Sequence, residues 1–351
     1  MYLLQINWEL WGLIIEKAAL ISIILGVSLL VAMYTTFGER KVAAILQDRR
    51  GPNRAGPFGL LQPLADGVKL FFKEEIIPTN SNKVLFILGP CLAMMTAMMT
   101  SAVIPWGADI NAFGRTISLQ VADINIGILY VFGVVSMGVY GIMIGAWASN
   151  NKYSLMGGLR AASQIISYEL AMGIALIALL MCTQTLSIKQ MVLQQQDSWW
   201  NVCKQPVGFI IFLVCVFAEC NRTPFDLPES ENELIGGYHT EYSSMKLGFY
   251  LFAEYINMFI SSAVMTCLYF GGYDVPGLTD ANHTGTWWLP LLQTGSLLFK
   301  VVFFLFLFMW VRWTIPRFRY DQLMNLGWKK LIPLALLNML VTGAVILYLQ
   351  K

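Results

Sequence analysis

A dense group of carboxylic acids near the middle of the chain has residue types and spacing that suit proton chemistry. Six acids lie between positions 219 and 241, where Arg222 is the only lysine or arginine. They are Glu219, Asp226, Glu229, Glu231, Glu233 and Glu241. Carboxylates at such spacing repel one another, so the group can take up and release protons near neutral pH. The alternative is a solvated acidic face or a docking patch.

Three glutamates lie inside or at the ends of apolar runs, namely Glu169, Glu219 and Glu254. An ionisable group at membrane depth is costly and generally faces a partner or a water-filled cavity. Two interpretations are open. One is a buried carboxyl that ties helices together, and the other is a proton path through the interior of a helical bundle.

A second distinctive region, residues 38–83, begins with Glu39 and Arg40 and continues through a turn rich in Arg, Gly and Pro. Apolar side chains then recur near helical spacing from Leu60 to Phe72, which predicts an amphipathic helix on the membrane surface. One interpretation is a basic anchor at the cytoplasmic surface. The other is an entrance for an amphiphile such as an isoprenoid quinone, whose apolar tail needs an apolar portal and whose carbonyl head needs hydrogen-bond donors.

Both regions need a scaffold, and the composition predicts membrane-spanning helices. Of 351 residues, 57% are hydrophobic and 13% are charged, with a mean hydropathy of +0.61, whereas a soluble domain carries about 25% charged residues. Apolar runs predict eight spans, the fifth of them too short to cross lipid alone. The spans are 10–37, 84–104, 126–148, 160–182, 206–219, 248–270, 289–311 and 331–348. We therefore expect one all-α integral membrane domain, residues 1–351, with functional motifs in loops 38–83 and 220–247.

The distribution of lysine and arginine predicts the orientation of the bundle. Seventeen of the 23 lie in the loops that follow spans 1, 3, 5 and 7, four lie in the opposite loops and termini, and Lys17 and Lys300 lie within spans. Loops rich in these residues face the cytoplasm. Both termini are therefore expected on the periplasmic or outer side of a bacterial inner membrane. The first run lacks the basic start and cleavage site of a signal peptide, so we expect a retained helix.

The cysteines and histidines have no spacing typical of redox centres. Six cysteines are scattered through apolar runs, and the two histidines, His239 and His283, lie outside them. We therefore expect no flavin, haem, iron–sulfur cluster or metal site in this chain, and any electrons must come from a partner. No multi-span unit repeats, which argues against an inverted-repeat transporter.

Two loop motifs carry a resemblance to a known family. The first is GLLQPLADGVKLFFKE, from Gly59 to Glu74, and the second is PFDLPE, from Pro224 to Glu229, followed by Glu231, Glu233, Leu234 and Gly237. Both resemble the H subunit of bacterial complex I, called subunit 1 in mitochondria. Ser230 departs from the very small residue that is usual there, which affects only local loop packing.

The resemblance covers essentially the whole chain and implies a role in proton-pumping NADH:quinone oxidoreductase. Such a subunit forms the membrane part of the quinone chamber and couples quinone reduction to proton translocation. The implied cavity residues are Glu39, Arg40, Arg49, Asp66 and Phe225, and the implied proton-transfer residues are Glu169, Glu219, Glu254, Asp226, Glu229, Glu231 and Glu233. The substrate is ubiquinone or menaquinone, and a neighbouring hydrophilic subunit supplies a Tyr and a His to its head group.

The implied partners are the hydrophilic quinone-site and iron–sulfur subunits, the small and antiporter-like membrane subunits and the lipid bilayer, with no nucleic acid. Three alternatives remain open. One is the homologous membrane subunit of a hydrogenase or formate-linked complex, against which the complete first-loop motif and the long acidic motif after Pro224 argue. A free-standing secondary transporter and a passive scaffold are the others, and the intramembrane acids Glu169 and Glu254 argue against the scaffold.

Overall fold

The computed structural model describes residues 8–112, 115–228, 235–278 and 288–349. The helices of this part of the chain are α1 Trp8–Leu46, α2 Gln62–Phe72, α3 Lys83–Met99, α4 Gly127–Ala148, α5 Lys152–Thr183, α6 Ile188–Gln196, α7 Asn201–Lys204, α8 Pro206–Glu219, α9 Ser244–Tyr269, α10 Leu289–Thr314, α11 Tyr320–Asn325 and α12 Ile332–Leu349. A π-helical segment, Leu326–Leu331, joins α11 to α12. The only sheet within the described ranges is a hairpin of β1 Ile110–Ala112 and β2 Arg115–Ile117.

The all-α membrane architecture is confirmed. Within the described part of the chain, seven helices are long and apolar enough to cross a membrane. The predicted fifth span corresponds to α8, a helix of 14 residues and therefore about 21 Å long. That length falls short of a hydrocarbon core of about 30 Å, so the ends of α8 meet protein, as predicted.

Two predicted helix boundaries were wrong. Helix α1 continues beyond the predicted end at Phe37 to Leu46, and α5 begins at Lys152 instead of Arg160. Hydropathy marks only the apolar part of a helix, whereas the backbone remains helical until residues that break it. Glu39 and Arg40 consequently lie on a helical extension of α1 rather than in the following loop.

Helix α2 has the predicted amphipathic character. Leu64, Val68, Phe71 and Phe72 expose their large apolar side chains, with Phe72 83% exposed. On the polar face, Asp66 accepts a hydrogen bond from Arg40 Nη1 of α1 over 2.7 Å. The helix is therefore bound to α1 through charge and presents apolar side chains outward, as an interfacial helix does.

Helix α9 is the central element of the bundle, with buried residues on all its faces. It packs against α1, α3 and α10. Close packing around it depends on glycine: a Cβ at Gly145 of α4 would lie 2.0 Å from the Tyr250 hydroxyl of α9. The same hydroxyl donates to Gly141 O over 3.1 Å. Small residues thus allow membrane helices to approach closely.

Contacts between loops define two ends of the bundle. At the end we call the basic end, Asn151 Nδ2 donates to Glu241 Oε1 over 2.6 Å, and the amide of Ile76 donates to Ser243 Oγ over 3.0 Å. At the opposite end, Lys189 Nζ pairs with Asp109 Oδ1 over 3.0 Å. The loops rich in Lys and Arg therefore lie together at one end.

Candidate functional site

Buried charges meet at the basic end between α1, α9, α10 and the turn that follows α8. We call this group the Arg222 cluster, and its members are Glu39, Arg222, Glu254, Tyr255 and Arg312. Glu39 and Arg222 are each 6% exposed and Glu254 is 8% exposed. Charges buried to this extent are tolerated only with partners, so their mutual contacts are a condition of the fold.

Glu39 on α1 is held by three groups. The hydroxyl of Tyr255 donates to its Oε2 over 2.8 Å, Arg222 Nη1 lies 3.8 Å from the same oxygen, and Arg312 of α10 pairs with Oε1. The two arginines offset the charge that this acid carries into the bundle. The contacts also connect α1 to α9 and α10 at their basic ends.

Arg222 is shared between two carboxylates. Its Nη2 lies 3.8 Å from Glu254 Oε2 of α9, and its guanidinium carbon lies 4.2 Å from the centre of the Tyr255 ring. The Tyr238 hydroxyl donates to the other oxygen of Glu254 over 2.8 Å. Because Glu39 and Glu254 share one cation, a change in the protonation of either alters the field at the other.

The turn after α8 places Arg222 through an amide on α5. Gln164 Nε2 donates to Ala218 O and Phe225 O, each over 2.8 Å. Asn221 adopts a φ of 49°, and the amide of Arg222 donates to Phe217 O over 3.2 Å. A buried amide donor thus satisfies one carbonyl at the end of α8 and one in the turn that follows, and so fixes the turn that carries Arg222.

Phe225 and Asp226, both assigned to the site from the sequence, lie just beyond this turn. Phe225 is 3% exposed and packs edge-on against Tyr168, with ring centroids 5.2 Å apart. Asp226 Oδ2 pairs with Arg317 Nη2 over 3.0 Å. The two residues therefore link the turn to α5 and to the segment after α10.

The remaining predicted chamber residues occupy more exposed positions. Arg40 and Asp66 form their ion pair between α1 and α2 with side chains 52% and 35% exposed, and Arg49 Nε donates to Gln47 Oε1 over 2.7 Å at the surface. Glu229, Glu231 and Glu233 lie outside the described residues.

A small cavity extends from Glu254 of the Arg222 cluster into the bundle, and a second lies beyond it. The first, of about 40 Å³, is lined by Tyr238, Glu254, Asn257 and Glu219 among others. The second, of about 30 Å³, shares Glu219 and Val135 with the first. Each volume suffices for at least one water molecule beside polar partners. Glu219 therefore stands between two sites that water can occupy.

Glu169 continues this series of acids. It interacts electrostatically with Glu219, and Ser136 Oγ of α4 donates to its Oε1. The structure thus brings together Glu254, Glu219 and Glu169, which the sequence placed on three separate helices. Ser136 also provides a polar group on the third span, where the sequence offers no acid.

Sequence reasoning missed Tyr238, Tyr255, Arg222 and Arg312 as members of the site. The two arginines entered only the count that predicted orientation. The signal for Tyr255 was its position beside Glu254, but adjacency on a helix does not indicate which residue of another helix it meets. Among the described residues, no three or more His, Cys, Asp or Glu side chains are placed to hold a metal ion.

Comparisons with known proteins identify the family of this chain. The NADH dehydrogenase family model matches residues 18–343. The chain is 66% identical over 338 residues to an H subunit of the NADH-quinone oxidoreductase of Cytophaga hutchinsonii, covering 95% of this chain and 97% of that protein. It is 63% identical to the corresponding H subunit of Flavobacterium johnsoniae, covering 95% and 96%, and 47% identical to one from Geobacter metallireducens, covering 94% and 96%. This chain therefore belongs to the family of H subunits of NADH-quinone oxidoreductase, the complex I family that its two loop motifs resemble.

Proposed function

We propose that this chain forms the membrane part of the quinone chamber of a proton-pumping NADH:quinone oxidoreductase and couples quinone reduction to proton movement. The observation that carries the proposal is the Arg222 cluster, a set of buried, shared charges at the basic end of a member of the H-subunit family. Burying several charges costs free energy that apolar packing would not. Clusters of this kind are concentrated at functional sites.

Helix α2 supports the position of the entrance. Its exposed apolar side chains, including Phe71 and Phe72, lie beside the Arg40–Asp66 pair. Helix α2 also contacts α9, since Ser244 Oγ donates to Leu70 O over 3.2 Å. An isoprenoid quinone combines an apolar tail with two carbonyl acceptors, so an apolar helix next to an arginine matches both parts.

The coupling step follows from charge balance. Reduction of a quinone to a quinol takes two electrons from partner subunits and two protons from the chamber. Loss of those protons makes the chamber more negative, and Glu39 and Glu254 respond together because they share Arg222. Glu254 and Glu219 then exchange protons through water in the cavity that both of them line, and Glu219 passes protons on toward Glu169.

The same proposal includes the orientation of the chain in the membrane, its partner subunits and its substrate. The basic end faces the cytoplasm, where the hydrophilic quinone-site and iron–sulfur subunits dock, and both termini lie on the periplasmic side of a bacterial inner membrane. The small and antiporter-like membrane subunits pack laterally against the apolar helices. Ubiquinone or menaquinone is the substrate, and redox centres belong to the partners.

The test uses the intact complex purified from native membranes, with its subunits identified. In an Arg40→Ala complex we expect NADH oxidation by a short-tail quinone to fall on the order of tenfold, because one charged hydrogen-bonding group is removed from the chamber. Oxidation by ferricyanide, which accepts electrons without the chamber, should be unchanged. Arg54→Ala, at an exposed arginine in the segment that follows α1, is the matched control and should retain both activities.

Full quinone activity in an assembled Arg40→Ala complex would contradict the chamber assignment. Equal loss with both acceptors would instead show that the complex fails to assemble. Purification of the chain alone, as a stable protein without partner subunits, would contradict its role in the oxidoreductase.

A further inference from the structure

A lysine far from the Arg222 cluster is held in an unusual way. Lys300 of α10 donates through Nζ to three backbone carbonyls in the segment that follows α9. They are Phe270 O at 2.9 Å, Gly272 O at 2.9 Å and Asp274 O at 2.7 Å. An ammonium has three donors, so all of them are used. We call this arrangement the Lys300 cradle.

The backbone of the cradle adopts a tight turn that directs its carbonyls toward the ammonium. Gly271 and Gly272 adopt φ values of 72° and 55°, a left-handed conformation that glycine adopts without strain. A Cβ at Gly272 would also lie 2.7 Å from Val192 Cγ2. The amide of Gly272 donates back to Thr266 O over 2.9 Å. The chain therefore turns tightly at the end of α9 and directs its carbonyls toward Lys300.

Side chains enclose the cradle. The Lys300 ammonium lies 4.8 Å from the centre of the Trp200 ring, a distance suited to a cation–π contact. The indole of Trp200 donates to Asp274 Oδ2 over 3.1 Å, and Ser296 Oγ donates to Asp274 O over 3.1 Å. Asp274 is 4% exposed. The lysine is thus fixed between α10, the α9 end and the segment that carries Trp200.

The cradle and the Arg222 cluster are separated by apolar core. Lys300 and Arg312 lie on the same helix, about 18 Å apart along its axis. Between them α10 buries Val301, Phe304 and Phe308. On α9 the intervening hydroxyls of Ser262 and Thr266 donate to carbonyls of their own helix, so the polar groups left along this face are their acceptor oxygens.

We propose that Lys300 closes the bundle to protons and alkali cations at the end opposite the Arg222 cluster. The C-terminus of α9 and the three carbonyls of the segment after it form a negative site. This site would attract cations from the end of the bundle opposite the Arg222 cluster. The tethered ammonium occupies this site, satisfies its carbonyls and repels a second cation. The inference rests on the proposed function in one respect: a barrier to protons at this end is needed because the interior of the bundle carries protons.

The experiment measures passive proton leak through the intact complex in sealed vesicles, without NADH, after an imposed pH step. Lys300→Met retains much of the side-chain volume but removes the charge, and we expect the leak to rise on the order of tenfold because the electrostatic barrier is lost. Lys300→Arg retains the charge and should leak like the wild type. Lys204→Met removes a charge from an exposed residue near the same end and should have no effect.

Chemical rescue separates a closing role from a structural one. Lys300→Ala leaves the three carbonyls and a space that n-propylammonium can fill, so millimolar propylamine should lower its leak, whereas a misfolded variant would not respond. A wild-type leak in an assembled Lys300→Met complex would overturn the proposal, as would a leak in Lys300→Arg equal to that in Lys300→Met.

NADH:quinone turnover is measured on the same preparations. We expect Lys300→Met to keep electron transfer while losing net proton accumulation. If the wild-type complex lacked quinone reductase activity, the proposed function would fail, and the leak comparison would still decide the role of Lys300.

Discussion

The two ends of the bundle hold buried charge by opposite means. In the Arg222 cluster, cations meet carboxylates, and Arg222 lies 3.8 Å from both Glu39 and Glu254. In the Lys300 cradle, the hydrogen-bonded partners of a single cation are backbone carbonyls. A carboxylate can gain a proton and so change its charge, whereas a carbonyl dipole cannot.

This difference separates a site that can respond from one that stays constant. Protonation of one acid of the Arg222 cluster removes its attraction for the shared arginine, which is then left to the other acid. In the cradle, the three groups that accept hydrogen bonds from Lys300 are backbone carbonyls, which do not titrate. A pump needs both properties, since protons must be exchanged at one end and held back at the other.

The largest effect is expected from Arg222→Met, which leaves Glu39 and Glu254 buried without their shared cation. Breaking a buried ion pair from one side costs about 3–5 kcal/mol. We expect the assembled complex to melt at a lower temperature and quinone turnover to fall at least tenfold, measured by thermal stability and NADH:quinone activity. Arg222→Lys keeps a charge and should recover part of both. Normal stability and turnover in an Arg222→Met complex would contradict the importance of the Arg222 cluster for both.

The next effect concerns Glu169 and Glu254. Glutamine keeps their volume and hydrogen bonding but cannot exchange a proton. Glu169→Gln should lower turnover and proton pumping together, on the order of tenfold if one proton relay is lost, without changing the apparent affinity for quinone. Glu169→Asp should recover part of both activities, because it restores a titratable group.

Turnover and proton uptake in reconstituted vesicles provide the measurement. Full pumping by an assembled complex that carries both Glu169→Gln and Glu254→Gln would remove these residues from the pathway. Reduced turnover with normal coupling would instead place them in quinone binding.

A smaller effect is expected from Tyr255→Phe, which deletes the hydroxyl that donates to Glu39 Oε2 over 2.8 Å. Arg222 and Arg312 remain beside Glu39, so the loss is limited to one charge-assisted hydrogen bond, about 1.5–3 kcal/mol. We expect a several-fold decrease in turnover with the passive leak unchanged. Tyr34→Phe, on the same helix as Glu39, is the matched control. An increased leak in Tyr255→Phe would show that the two ends are not independent.

The smallest effect is expected from Ser296→Ala in the cradle. It removes one donor to Asp274 O, which keeps its hydrogen bond from Lys300. The loss is about 1 kcal/mol of stability, and neither leak nor turnover should change, because the cradle depends on the ammonium charge. A leak in Ser296→Ala comparable to that in Lys300→Met would assign closure to packing instead of charge.

The membrane class, the spans, the short fifth helix and the amphipathic α2 could all be predicted from the sequence. These follow from local hydrophobicity and periodicity, which act within one helix. The sequence also marked Glu169, Glu219 and Glu254, because acids in apolar surroundings are costly wherever they occur, whereas Glu39 and Asp226 were assigned through the family resemblance. The two loop motifs indicated the family because each of them is contiguous in the chain and can be read without knowledge of the fold.

Which charges meet could not be predicted from the sequence and is seen only in the folded bundle. Tyr255 and Glu39 are 216 positions apart, and no periodicity within either helix indicates that they share a hydrogen bond. The sequence placed Lys300 within a span without indicating its partners, and backbone carbonyls 26 to 30 positions away in sequence accept all three of its hydrogen bonds. Partner choice depends on helix packing and on the direction of each side chain, which are properties of the assembled bundle.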